Sequence, residues 1–247
     1  MNILEAYIKF TGGMFIIISG LYGSNKGIIA KNMAKLFNFS VIRLEDFCKK
    51  DNKRKFFLAE NKSITDWEHV DVFDWDAFND EVQKLRKKGV IAYGHSLPDY
   101  KLKIKADIHV DIKISKNRLV NKRREYIQNN KEKCEEYHQL LDTESEKKIN
   151  NITFSYYMNN LKQSTIDKIF HIDDENEDVE KLHNEIALYI FDLVQNKLFD
   201  IQEKKNFDET ETETETETET ETTEETSTEK ITNSTSADQS TNSTSTE

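Results

Sequence analysis

Cysteine is scarce in this chain: Cys48 and Cys134 are the only two among 247 residues, far apart and outside any CxxC pattern. That excludes a disulfide framework and argues against a zinc centre, so reduced thiols in a cytoplasmic protein are the expectation. Long apolar runs are missing as well. Met14 to Ile18 is a short one, well below the length of a membrane-spanning helix and without the basic flank of a signal peptide, so neither a membrane nor export is expected. A surplus of positive charge is also absent. The net charge is −11, and residues 208–247 hold thirteen acidic side chains against one lysine, which leaves residues 1–207 at +1. A nearly neutral domain has little electrostatic drive towards a polyanion, so nucleic acid is not an expected partner.

What is present divides unevenly along the chain. From about Phe207 the sequence alternates Glu and Thr and then becomes rich in Thr, Ser and Asn. Such a segment has no apolar face to bury and repels itself, so residues 207–247 are expected to form a disordered acidic tail. Residues 1–13 read as an N-terminal extension, equally able to add an edge element, and residues 14–200 as a single domain with a full hydrophobic core.

Within that domain, strands and helices take turns. The patterning predicts strands at Phe15–Ser19, Ser40–Leu44, Val90–Tyr93, Ile108–Ile112 and Lys168–Ile172. Helices are predicted at Lys26–Phe37, Trp75–Lys88 (stopped by Gly89), about Lys116–Gln128, around Cys134–Leu141, Ser145–Leu161 and Glu177–Leu198, with a long loop from Leu44 to about Val72. Alternation of this kind implies an α/β fold with a parallel sheet covered on both faces, whose ligands sit beyond the carboxyl ends of the strands.

Several chemistry-bearing residues fall at those ends. The stretch FIIISGLYGSNKGIIAKNMAKLF, residues 15–37, runs an apolar strand into a glycine turn, a lysine and an amphipathic helix, the layout of a phosphate-binding P-loop. Against GxxxxGK[ST], Gly20 and Lys26 are in place, Asn25 holds the second glycine's position and Gly27 the hydroxyl residue's. Asn tolerates positive φ better than most residues, so the turn survives that change, but Gly27 has no hydroxyl for Mg²⁺. The same residues also fit an ordinary strand, turn and helix. After the second strand, Glu45 and Asp46 form an adjacent acidic pair, suited to taking a proton from a hydroxyl or holding a metal-bound water, although acidic pairs are common on solvated loops. In DWEHVDVFDW, residues 66–75, Phe73 and Trp75 read as core anchors and Asp74 as a helix cap, which leaves Trp67 and Glu68 for a ligand.

These segments, taken in order, resemble the nicotinamide riboside kinase and uridine kinase group of P-loop nucleoside kinases, with the former the nearer. AKNMAKLFNFSVIRLEDFCK, residues 30–49, is similar to that family's first helix, second strand and acidic turn, and DWEHVDVFDW to its nucleoside-binding segment. NRLVNKRREY, residues 117–126, resembles its lid helix, and IFHIDDENEDVEKLHNEI, residues 169–186, its last strand and helix. The resemblance implies a three-layer P-loop NTPase fold with a helical lid. It further implies ATP and Mg²⁺ as cofactors and a small-molecule nucleoside as substrate. Residue by residue, Gly20, Gly23, Ser24, Asn25, Lys26 and Gly27 would hold the ATP phosphates, and Glu45 would be the base on the 5′-hydroxyl. Asp46 would stand beside it at the metal, Glu68 would grip the ribose hydroxyls and Trp67 would flank the base. Arg124 and Tyr126 match the lid's Arg-x-Tyr, with arginine neutralising the transferred phosphoryl group.

The departures bear on activity. Glu replaces the family's Asp at residues 45 and 68, a Glu–Gly step that helps hold magnesium is Tyr93–Gly94, and a proline is Val70. Two readings stay open: a working, divergent kinase, and a nucleotide-binding pseudokinase without turnover.

Overall fold

The computed structural model describes residues 2–58, 63–172 and 178–221, with 205–221 described by backbone alone. Five parallel strands form its sheet: β1 (Phe15–Ser19), β2 (Ser40–Arg43), β5 (Val90–Gly94), β6 (Ile108–Lys113) and β7 (Lys168–His171), in the spatial order β2-β5-β1-β6-β7. β1 lies in the middle, with Ile17 opposite Ala92 of β5 on one side and His109 of β6 on the other. Every residue of β1 and β5 is buried, as expected of strands covered on both faces, and β2 at the edge alternates in exposure.

Phe15 and Ile17 point to the face that packs on Phe78 and Val82 of helix α3 (Trp75–Leu85). Ile16 and Ile18 point the other way and are equally inaccessible. Helix α2 (Lys26–Phe37) meets helix α7 (Val179–Glu221) through Phe37 and Phe191, whose ring centres lie 5.2 Å apart. α3 starts where Asp74 accepts a hydrogen bond from the Ala77 amide, and Trp75 is anchored by its indole N–H on the Val70 carbonyl at 2.7 Å.

The first residues form a helix, α1 (Ile3–Thr11), opened by a capping box between Asn2 and Glu5. It buries Leu4 and Tyr7, and the Tyr7 hydroxyl donates to Asp107, whose second oxygen accepts the Phe15 amide at the start of β1. The expected long loop after β2 contains a 3₁₀ turn (Leu44–Phe47) and an antiparallel hairpin, β3 (Lys55–Phe57) with β4 (Ser63–Thr65). Between β6 and β7 lie α4 (Lys116–Asn129), the single turn α5 (Glu135–His138) and α6 (Glu144–Leu161). The predicted Trp75–Lys88 helix tightens into a 3₁₀ turn from Arg86 before Gly89, and the predicted Cys134–Leu141 segment shrinks to α5.

The chain divides into a unit of residues 1–198 and a second from Phe199. α7 runs to Glu221 instead of ending at Leu198, because extending a formed helix costs far less than starting one. Its expected first residue, Glu177, and tail residues 222–247 lie outside the described residues. Among the described residues no helix is long and apolar enough to cross a membrane.

Candidate functional site

The loop after β1 makes a tight turn that glycine and asparagine permit. Gly20 has φ +154° and no room for a side chain, since a Cβ there would stand 2.6 Å from the Ile112 carbonyl oxygen. Asn25 adopts the left-handed conformation at φ 58°, the geometry its replacement of glycine demanded. No side chain caps the start of α2, so the helix's first amides face the loop with the positive end of the dipole behind them. Lys26 follows directly, its ammonium 3.4 Å from the Leu21 carbonyl. Burial lowers the Lys26 pKa, while the carboxylates of Glu45 and Glu68 oppose that shift and favour the charged form.

Two cavities meet at this lysine. One, of about 400 Å³, lies over the loop and is bordered by Gly23, Asn25, Gly27, Lys31, Tyr93 and Lys122. The other, of about 580 Å³, is bordered by Trp67, Glu68, His95, Arg123, Tyr126 and Tyr137. Tyr22, Lys26, Arg43 and Glu45 line both, so the cavity over the loop and the larger pocket share a wall. Glu45 sits in the 3₁₀ turn after β2 and receives the Arg43 guanidinium at 3.2 Å.

The larger pocket is built by long-range contacts. Asp66, 1% exposed, accepts the backbone amides of Glu68 (2.9 Å) and His69 (3.2 Å) on one oxygen and the Arg54 guanidinium (3.0 Å) on the other. That bonding fixes the turn presenting Trp67 and Glu68. Glu68 forms an ion pair with Arg123 of α4, which α6 steadies through Asn150 (2.8 Å) and Thr153 (3.3 Å). α4 is also fastened to the phosphate loop: Arg118 donates to the Gly23 carbonyl at 3.1 Å, and Lys122 packs so close that a Cβ on Gly23 would lie 2.9 Å from its own. Tyr126 meets Tyr22 edge-on at 5.6 Å. Helix α4 thus lies directly against the loop.

The structure therefore brings together Gly23, Asn25, Lys26, Gly27, Glu45, Trp67, Glu68 and Tyr126. Ser24 is fully buried beneath the loop with its hydroxyl unpartnered. Two expected residues are placed elsewhere. Asp46 is exposed and borders neither cavity. Arg124 turns to the other side of α4 and pairs with Glu146 (2.7 and 2.8 Å) and Asp142 (2.9 Å), so the arginine of α4 that lines the pocket is Arg123, one residue earlier. Successive residues differ by about a third of a turn around a helix, which is why only one of the pair can point inward.

Sequence reading missed His95 and Tyr137. Tyr137 reaches the pocket from the small α5 turn, holding the Thr65 carbonyl at 3.0 Å, a placement with no local sequence signal. His95 does carry a signal, since it follows the carboxyl end of β5 where ligands gather. It is 7% exposed, its Nε2 has no partner, and burial lowers its pKa despite Glu68 and Glu45 nearby. A neutral imidazole on the pocket wall is the result.

The sheet order, the glycine loop after the central strand and the lysine at the helix start define an α/β P-loop fold. No family model and no curated protein matches the chain. Among solved structures it is similar to a putative fructose transport system kinase from Silicibacter sp. TM1040, at 9% identity and TM-score 0.45 over 69% of this chain and 99% of that one. It is likewise similar to a gluconokinase from Sinorhizobium meliloti 1021, at 14% identity and TM-score 0.45 over 76% and 97% of the two chains. A shikimate kinase from Bacteroides thetaiotaomicron matches at 12% identity and TM-score 0.42 over 74% and 98%. The reading of the site rests on its own geometry.

Proposed function

We propose that this chain is a small-molecule kinase that transfers the γ-phosphoryl group of ATP to the 5′-hydroxyl of a ribonucleoside, nicotinamide riboside first, with uridine or cytidine second. The observation that carries the reading is the shared wall: Lys26 and Glu45 border both the phosphate cavity and the pocket holding Glu68, Arg123 and Trp67. In this arrangement Lys26 and the loop amides bind the donor's phosphates. Glu45 accepts the proton of the attacking hydroxyl, Glu68 accepts hydrogen bonds from the ribose hydroxyls, and the Trp67 indole offers a face to the base. Arg123 adds positive charge where phosphoryl charge spreads during transfer.

The fit to the cofactors is uneven. The loop suits a triphosphate, but a magnesium ion held by side chains does not fit: Gly27 has no hydroxyl, and the Tyr93 ring lies 3.1 Å from where its Cβ would be. That same contact favours the second reading, nucleotide binding without turnover. The deciding assay is the full chain with ATP, with and without Mg²⁺, against a panel of nicotinamide riboside, uridine, cytidine, adenosine and gluconate. A nucleoside 5′-phosphate as product supports the kinase. Product from none of them, alongside thermal stabilisation by ATP, leaves the binding module, because a ligand bound only by the folded state raises its stability.

A further inference from the structure

We propose that the cavity over the loop balances the charge of a triphosphate with side-chain cations in place of a side-chain-held divalent metal, so that nucleotide binding does not require Mg²⁺. This rests on the reading of the loop as a nucleotide site given above. Its first support is steric. Gly27 is the second residue of α2, and the Tyr93 ring near the end of β5 packs against it, with Cε2 3.1 Å and Cζ 3.6 Å from the position of a Cβ on Gly27. An aromatic ring that close leaves little room for a metal-binding side chain at residue 27, and neither Gly27 nor Tyr93 supplies a carboxylate or an aliphatic hydroxyl. Mg²⁺ is bound in proteins by one or two carboxylates together with phosphate oxygens and water. Glu45 is the carboxylate on this wall, and it is engaged with Arg43. Among the described residues no three His, Cys, Asp or Glu gather into a metal-binding group.

The second support is electrostatic. Four cationic side chains border the same cavity: Lys26 and Lys31 on α2, Arg43 at the end of β2 and Lys122 on the lid. They approach from three elements, so a phosphate chain laid along the loop meets positive charge on each side, with the uncapped helix start beneath it. Lys122 also stands 3.4 Å from Glu125, a surface contact that leaves its charge available to a competing anion. Metal ions and cationic side chains both offset phosphate charge, and in this cavity it is the side chains that are present to do so.

The test is calorimetric titration of the full chain with ATP, once with EDTA and once with Mg²⁺. The expected result is a dissociation constant that changes by less than about tenfold between the two. Binding weaker by about tenfold or more in EDTA overturns this inference while leaving the nucleotide site intact. No binding in either condition overturns the inference and the nucleotide reading together. Two variants sharpen the result, each checked for a cooperative thermal transition. Arg43→Ala should weaken metal-free binding by about tenfold or more, and an unchanged constant counts against the proposal. Gly27→Ser combined with Tyr93→Glu should convert the site to one that binds ATP at least about tenfold better with Mg²⁺ than with EDTA; a double variant still indifferent to the metal shows that the ring and the glycine do not set the preference.

Discussion

Arg123 and Arg124 are neighbours in sequence and have separate tasks. Arg123 reaches Glu68 and is held by Asn150 and Thr153, whereas Arg124 ties α4 to Glu146 and Asp142 at the edge of the lid. Replacing Arg123 by Ala should therefore lower kcat/KM for the nucleoside by about 10²-fold or more, since it removes charge stabilisation and leaves Glu68 without its partner. Arg124→Ala should lower the melting temperature and leave kcat/KM within about threefold. Steady-state kinetics and thermal melts on both variants check this, and equal kinetic losses would contradict the assignment. The sequence made the basic lid legible but not which arginine faced inward, because a helical phase error of one residue is enough to exchange them. Lys26, Glu45 and Glu68 were legible for the opposite reason: each sits at a fixed offset from a strand end or turn. Tyr137 became a pocket residue only through tertiary packing, whereas His95 carried a strand-end signal.

At the scale of elements, the turn carrying Trp67 and Glu68 is held by one buried carboxylate. The hairpin of β3 and β4 leads into it, and Asp66 fastens the exit by accepting the amides of Glu68 and His69 while binding Arg54. Neither strand exceeds three residues, too short for an alternation to stand out, which is why the sequence showed only a long loop there. The strands of the central sheet were legible because their apolar runs are bounded by glycine, asparagine or charged residues. Asp66→Ala would strand two backbone amides and a guanidinium in a partly buried setting, a loss of about 1–3 kcal/mol for unsatisfied groups of this kind. The turn would then present Glu68 less often in place. We expect the KM for the nucleoside to rise by about tenfold with a smaller change in kcat, and ATP affinity to stay near wild type because the phosphate loop is made by other elements. Separate titrations with ATP and with nucleoside distinguish these effects, and an equal loss for both ligands would show that Asp66 supports the whole fold.

For the whole molecule, the clearest consequence of burying polar groups is a pH dependence of stability. His109 on β6 is 2% exposed beside Ser19 of β1, whose hydroxyl lies 2.8 Å from its Nε2 and donates to Asp111 at 2.7 Å. Since the serine proton is committed to Asp111, Nε2 is the protonated nitrogen and Nδ1 is buried without a partner. Burial pushes the His109 pKa down to about 4, with Asp99 and Asp167 opposing. The unfolded chain takes up that proton below about 6.5, the folded one only near 4, so the unfolded state binds more protons in between and stability must fall as pH falls through that window. The full effect is about 3 kcal/mol, levelling off below about pH 4. Asp111 works in the opposite sense, because burial raises its pKa and the folded state then retains a proton the unfolded chain has released. A comparison of variants removes that contribution. His109→Gln keeps a donor for Ser19 and cannot titrate, so urea unfolding at pH 7 and pH 4.5 should show the wild type losing about 2 kcal/mol more than the variant on acidification. Equal losses would mean that His109 is already protonated in the folded core, and the Ser19–Asp111 bonding would then have to be redrawn.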